Sequence, residues 1–317
     1  MKKISLILGS LTAALLGVAV FGMIWTVKNE PVKKTVQQQS IFSIQASSTI
    51  PRIDATTFLD RPEFRRIWAH QVQIKDIPGR AIAATVNHHV LASDILATLF
   101  MSLANNRPDA QRLVILSPDH FFSGRGPVST HRRSYQTPDG IVSIDTKAVE
   151  ELIQQNIALD ESGEMYEKEH GIGALIPFSK KAFPKATIVP ISIQATSDIE
   201  VLRRLAHFLE TMDDGKTLFI ISADMSHYLS KEVAQKNDAQ TIQWLETKDA
   251  QAMTKAKDTH TDSGRQFATL FFWMNEKYPT ARFTGLSQGI SSDYVEDELN
   301  TTSYINGVWS INLKTLR

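Results

Sequence analysis

The chain has 317 residues, 42% of them hydrophobic, and its 34 basic residues are balanced by 34 acidic ones. This length fits one large globular domain or two small ones, and a net charge near zero gives no support for a nucleic-acid or acidic-substrate partner. The chain contains no cysteine, which excludes disulfides, a thiolate nucleophile and thiolate metal ligands. Any metal must therefore bind to His, Asp, Glu or hydroxyl side chains.

The chain begins with an apolar run that predicts a membrane anchor. Lys2 and Lys3 precede an uncharged stretch from Ile4 to Val27, which is about long enough to cross a bilayer as one helix. The run ends without the small-residue cleavage site of a signal peptide. We therefore favour a transmembrane helix within residues 1–27 that tethers an extracytoplasmic domain, with secretion after signal cleavage as the alternative.

A linker and an α/β domain are expected to follow. Residues 28–50 are rich in Gln, Ser, Thr and Lys, a composition typical of a linker, and the domain is expected over 51–317. After a helix from about Arg61, short apolar runs alternate with segments of helical periodicity. The predicted elements are strands at 81–86, 113–116, 187–193, 217–221, 282–291 and 302–313, and helices at 90–103, 146–155, 171–181, 198–212, 231–255 and 263–274. Such alternation predicts a central, mostly parallel or mixed sheet flanked by helices.

Three of the predicted strands run into histidine at their carboxyl ends. The histidines are His88 and His89, His120, and His227. Because the carboxyl ends of parallel strands meet at one edge of the sheet, where α/β proteins bind ligands, these imidazoles are expected to converge. Converging imidazoles suit a divalent first-row metal.

Further polar residues lie close to these strand ends in the sequence. Two more histidines, His170 and His260, precede predicted helices, and the nearby carboxylates are Asp119, Glu169, Asp224 and Asp262. Each carboxylate is a candidate ligand or, alternatively, a partner that fixes a histidine tautomer. A single strand-end histidine is most often a surface or hydrogen-bonded residue, so the metal prediction depends on the whole set.

Five segments around these residues carry a family resemblance. In chain order they are Thr85-Val-Asn-His-His89, Ser117-Pro-Asp-His120, Glu169-His-Gly-Ile-Gly173, Ser222-Ala-Asp-Met-Ser-His227 and Ser303-Tyr-Ile-Asn-Gly307. Together they resemble the Memo-like family, also described as AmmeMemoRadiSam system protein B, over roughly residues 80–313. The resemblance implies a fold like that of the class III extradiol ring-cleavage dioxygenases, to which the family is structurally related.

The resemblance also implies roles for individual residues. His88 and His120 match metal ligands, and His227 matches the catalytic base of the related dioxygenases. His170 and Asp224 match positions that line the pocket, and we group them with the catalytic residues.

The third metal position departs from the family pattern. The family often has a cysteine before Gly-Arg, and here Ser263 stands in that place. A hydroxyl is a poorer ligand than a thiolate for soft or borderline metals. Asp262 could substitute for it and complete a set of two histidines and one carboxylate, which suits non-haem Fe(II).

Three classes of function remain open from the sequence, and the first two are favoured. One is a metal-dependent oxidoreductase of the dioxygenase type, with a divalent metal (Fe(II) favoured, Zn(II) or Cu as alternatives) and an unidentified, catecholic or related small-molecule substrate. Another is a binding or accessory protein that uses the same pocket for a protein partner without turnover. Metal-assisted hydrolysis is a third class.

Overall fold

A mixed sheet of nine strands is the frame on which the other elements are arranged. The computed structural model describes residues 51–69, 72–161 and 164–312. The strands are β1 Ile53–Asp54, β2 Arg80–Val86, β3 Arg112–Pro118, β4 Val128–Thr130, β5 Tyr135–Thr137, β6 Gly140–Val142, β7 Leu159–Asp160, β8 Thr187–Ile193, β9 Thr217–Ser222, β10 His227–Leu229, β11 Arg282–Ile290 and β12 Thr301–Ile311. The α-helices are α1 Arg61–Ala69, α2 Ser93–Asn106, α3 Thr146–Gln154, α4 Glu164–Lys168, α5 His170–Gly173, α6 Ile176–Ala182, α7 Ile199–Met212, α8 Lys231–Thr247, α9 Ala250–Lys255 and α10 Gly264–Lys277.

The centre of the sheet is parallel. Strands β2, β9, β3 and β8 are neighbours in that order and run in one direction, whereas β12 and β4 flank them in the antiparallel sense. The register pairs Val86 with Ser222 and Leu116 with Ile221. The carboxyl ends of β2, β9 and β3 therefore lie side by side, as the strand-end prediction requires.

Burial explains why these strands have continuous apolar sequences. Residues 81–86 of β2 and 113–118 of β3 are all buried, because helices cover both faces of a parallel sheet. In α2, Leu96, Leu99 and Leu103 recur at helical spacing and are fully buried, which places the apolar stripe of the helix on the core. The predicted α/β architecture with a mixed sheet and flanking helices is confirmed.

The predicted transmembrane helix requires a correction. It depends on the apolar run of residues 4–27, which lies outside the described residues. Among the helices that the structure does describe, none is both long and apolar enough to cross a membrane. The length of an apolar run makes it only a candidate for a membrane span. The supported fold class is therefore the mixed sheet flanked by helices, without the transmembrane helix. The membrane-anchored, extracytoplasmic location is not retained, and the boundaries at 27 and 50 stay predictions.

Candidate metal site

Three histidines from three separate elements meet at the carboxyl edge of the sheet. His88 follows β2, His120 follows β3, and His170 is the first residue of α5. One ring nitrogen of each lies within 4.8 Å of the others, so the group could hold a metal ion. The convergence expected of His88 and His120 is thus observed. His170, which was expected to act in catalysis, joins them as a potential ligand.

Asp262 adds a carboxylate at the same point, just before α10. Its Oδ2 lies 3.2 Å from Nε2 of His88 and 3.4 Å from Nε2 of His120. Charge-assisted hydrogen bonds are usually shorter, about 2.7–2.9 Å. Two ligand atoms bound tetrahedrally to one ion at about 2.0–2.1 Å would be separated by about 3.3 Å. The spacing and the imidazole–carboxylate chemistry both fit a divalent first-row metal.

Hydrogen bonds on the far side of two rings direct their Nε2 atoms toward this point. Nδ1 of His88 lies 2.9 Å from Ser222 Oγ. The Ser222 hydroxyl donates its single proton to the carbonyl of Gly171, so it accepts from Nδ1–H of His88, which leaves the Nε2 lone pair free. Nδ1 of His120 donates in the same way to Glu169 Oε1 at 2.6 Å. Such partners fix the tautomer and make the imidazole a stronger ligand.

The electrostatics of the site favour a cation. Burial disfavours a charged His120, but hydrogen bonds to Asp262 and Glu169 outweigh it and raise the pKa of His120 to about 10. Burial and the neighbouring His120 and His88 lower the pKa of His170 to about 4, which keeps that ring neutral. The buried carboxylates therefore stabilise positive charge among the histidines, and a metal ion can supply that charge in place of a proton.

Ser263 lies beneath the histidines and contacts Asp262. Its fully buried Oγ is 2.7 Å from the Ser222 carbonyl and 2.8 Å from Asp262 Oδ1. A hydroxyl carries one proton, so it donates to one of these acceptors at a time. This position favours a role in orienting the Asp262 carboxylate, whose other oxygen faces the two histidines. A direct ligand role for Ser263 stays a prediction.

Asp224 and His227, the other predicted catalytic residues, line the same cleft as the histidines. Asp224 is buried. Its Oδ1 accepts from the His88 amide at 3.1 Å, and its Oδ2 lies 3.7 Å from His88 Nε2. Nδ1 of His227 donates to the Met225 carbonyl at 2.7 Å, so Nε2 keeps its lone pair. The structure brings both residues to the cleft, and their catalytic roles stay predictions.

The cleft above the histidines has a volume of about 450 Å³ and an aromatic rim. Phe121 and Tyr228 line it with 55% and 74% of their surfaces exposed. The sequence patterns did not single out either residue, nor the supporting Ser222. The only available signal was adjacency, since Phe121 follows His120 and Tyr228 follows His227. Whether such a side chain is exposed depends on the tertiary structure.

The curated relatives of this chain belong to one family. A MEMO1 family protein of Caldivirga maquilingensis is 27% identical over 150 residues, which are 46% of this chain and 53% of that protein. A MEMO1 family protein of Aquifex aeolicus is 32% identical over 140 residues, 43% of this chain and 51% of its own length. The chain thus spans about half the length of these curated relatives.

Two further comparisons, one with a solved structure and one with a family model, differ in how strongly they support an assignment. An uncharacterized protein from Escherichia coli K12 has a crystal structure that covers 71% of this chain and 99% of its own, with 14% identity and a TM-score of 0.49. That similarity is too weak to assign a fold or an activity. The model of the family described as Memo-like protein matches residues 70–308, well over half of the sequence. The chain therefore belongs to the Memo-like protein family.

Proposed function

We propose that this Memo-like protein is a metal-dependent oxidoreductase of the extradiol dioxygenase type. Its ligands would be His88, His120 and Asp262, and its metal Fe(II), with Zn(II) or Cu as alternatives. The observation that carries the proposal is the approach of Asp262 Oδ2 to both Nε2 atoms, at 3.2 and 3.4 Å, beneath an open cleft. Two histidines and one carboxylate form the ligand set of non-haem Fe(II) oxygenases, which leave coordination positions open.

The protein residues would prepare the site for a catecholic or related substrate and O₂. When bound, the ferrous ion would supply the redox chemistry and a positive charge for a deprotonated substrate hydroxyl. Ser222 and Glu169 would hold the two histidine rings in the ligating tautomer. The aromatic rim would offer flat apolar contacts to a substrate ring.

His227 would move the proton. Its Nδ1–H is held by the Met225 carbonyl, so Nε2 can accept a proton from a substrate hydroxyl and return it later. An imidazole suits this task because its ring nitrogens can both accept and donate a proton. Among the described residues no hydrogen bond occupies this nitrogen.

His170 is the alternative third ligand. Its ring nitrogen lies within 4.8 Å of those of His88 and His120, and its neutral state suits ligation as well as proton transfer. Asp262→Asn and His170→Gln separate these assignments. Loss of bound metal in the first variant alone supports Asp262, and loss in the second alone assigns the third position to His170.

The test is metal content after anaerobic loading of the full chain with Fe(II). We expect about one iron per chain in the wild type and almost none in the His88→Ala/His120→Ala double variant. His207→Ala is the matched control, because the His207 side chain is 83% exposed on helix α7. O₂ uptake with catechol should follow the metal content. Equal iron in the double variant and the wild type would refute the proposal.

A second candidate is a binding or accessory protein without turnover. It is favoured by three exposed aromatic side chains that follow histidines of the cleft in the sequence. Phe121 and Phe122 follow His120, and Tyr228 follows His227. A protein partner whose affinity survives the double histidine variant but falls with Phe122→Ser would support this function. Phe122 is suited to this test because it is not among the residues lining the cleft.

A further inference from the structure

The cleft over the histidines carries an uneven set of charges. Among the described residues that line it, none is lysine or arginine, and Asp224 is the one carboxylate. Asp262 and Glu169 lie beneath, with side chains 12% and 0% exposed. Three carboxylates thus surround a site for a divalent ion, and the described part of the cleft wall offers no lysine or arginine to offset them.

The rim of this cleft offers aromatic faces. A cleft that binds anions would instead offer guanidinium or ammonium groups. Phe121 is 55% exposed, and its ring centroid lies 5.9 Å from that of His170. Tyr228 is 74% exposed, and its ring centroid lies 5.6 Å from that of His227. The faces of such rings attract cations and give no favourable contact to anions.

The backbone holds one of these rings outward at a cost. Tyr228 has φ of 57°, the left-handed region that side-chain-bearing residues seldom adopt. The neighbouring His227 is fixed by hydrogen bonds from its amide to the Asp258 carbonyl and from its ring to Met225. The strained conformation therefore presents Tyr228 at the mouth of the cleft from an anchored position.

From these charges and rings we infer that the cleft selects aromatic diols whose side arm is neutral or carries an amine, and rejects those with a carboxylate arm. The diol end would meet the metal site, so this inference rests on the proposed function. The arm would extend toward Phe121 and Tyr228. An ammonium there gains cation–π contact and the field of Asp224, whereas a carboxylate meets that field with no lysine or arginine in the described lining to pair with.

Binding measurements with three probes test this selection. Catechol has no arm, dopamine carries an ammonium arm, and homoprotocatechuate carries a carboxylate arm. Calorimetry on the full chain loaded with redox-inert Zn(II) measures affinity without turnover. We expect the affinities for dopamine and catechol to exceed the affinity for homoprotocatechuate by about tenfold or more.

A charge introduced at the rim should reverse the preference. Tyr228→Arg should strengthen homoprotocatechuate binding and weaken dopamine binding, each by about tenfold. Phe122→Arg is the matched control, because Phe122 is also exposed, also has a left-handed φ of 49°, and does not line the cleft. It should leave both affinities within about twofold. Zn(II) content is measured in parallel and should be equal in all three proteins.

The outcomes separate the two proposals. If homoprotocatechuate binds as tightly as dopamine, or if Phe122→Arg reverses the preference as strongly as Tyr228→Arg, the charge selection is refuted while the diol site stands. If the zinc-loaded chain binds none of the three probes, the proposed function fails, and the selection fails with it.

Discussion

The two ends of the parallel strands handle charge in opposite ways. At the amino ends, the guanidinium of Arg107 is 1% exposed and donates to the carbonyls of Ala81 and Gly215 at 2.6 and 3.0 Å. Asp109 receives hydrogen bonds from both Arg80 and Arg107. Arginine stays charged at every ordinary pH, so near neutral pH the charge of Asp109 is paired within the chain.

At the carboxyl ends, the buried carboxylates face histidines instead. Asp262 lies between His88 and His120, and Glu169 holds the far side of His120. A histidine balances a carboxylate only when it is protonated, or when a metal ion takes the place of the proton. The parallel strands thus have a closed charge network at one end, whereas at the other end the carboxylates depend on a proton or a metal ion for balance. This contrast distinguishes the end that stabilises the fold from the end that carries the candidate metal site.

The largest effect is expected from breaking the closed network. Arg107→Ala should lower the free energy of unfolding by about 3 kcal/mol, because the buried carbonyl of Ala81 in β2 loses a charged donor, as does the carbonyl of Gly215 before β9. Arg107→Lys should lose about half as much, since one ammonium cannot span the same acceptors. Urea unfolding measures both values.

Metal content serves as the control for this prediction. Under conditions where Arg107→Ala remains folded, the variant should bind as much metal as the wild type, because its contacts lie at the opposite end of the strands. A variant that unfolds at the wild-type urea midpoint would show that the Arg107 network does not stabilise the chain.

The contrast also shows which features the sequence could predict. The continuous apolar runs of residues 81–86 and 113–116 sufficed to place two buried strands, and the polar residues after them placed His88 and His120 at one edge. Asp262 was predicted as a ligand because it precedes Ser263, which stands at the family's cysteine position. These predictions rely on local patterns, which one stretch of sequence contains in full.

Local sequence patterns could not predict contacts between segments that are far apart in the sequence. The acceptors of Arg107 lie at Ala81 and Gly215, far away in sequence, and nothing local to Arg107 indicates them. Ser222 appeared only as part of a motif, because its contact with the His88 ring depends on the pairing of β2 with β9. His170 was assigned to catalysis alone, since a residue at the start of a helix gives no sign of which strand end it approaches.

A smaller effect is expected from weakening one support at the open end. Glu169→Gln keeps the shape of the side chain but removes the charge that orients and polarises His120. The affinity for Fe(II) or Zn(II) should fall by about 10- to 100-fold, which corresponds to about 1.4–2.7 kcal/mol. Competition with a chelator of known affinity measures the change.

Glu150→Gln is the matched control for that variant. Glu150 pairs with Arg132 away from the histidines, and its side chain is 42% exposed. Its removal should leave metal affinity unchanged. Equal affinity in Glu169→Gln and wild type would mean that the Glu169 charge contributes nothing to metal binding.

The smallest effect concerns the response of the closed network to acid. The hydrogen bond from Arg80, with a further one from Arg107, lowers the pKa of Asp109 to about 2 from its ordinary value of 3.8, against the effect of burial. Because the folded-state pKa is the lower one, Asp109 stabilises the fold fully above about pH 4, and this contribution is lost as the pH falls toward 2. The Asp109 side chain is 40% exposed, so solvent screening limits the contribution to about 1 kcal/mol. Asp109→Asn should therefore be less stable than the wild type in urea unfolding at about pH 6, and the difference should shrink at about pH 3. A difference that stays constant across this range would show that the paired charge of Asp109 does not stabilise the amino ends of the strands.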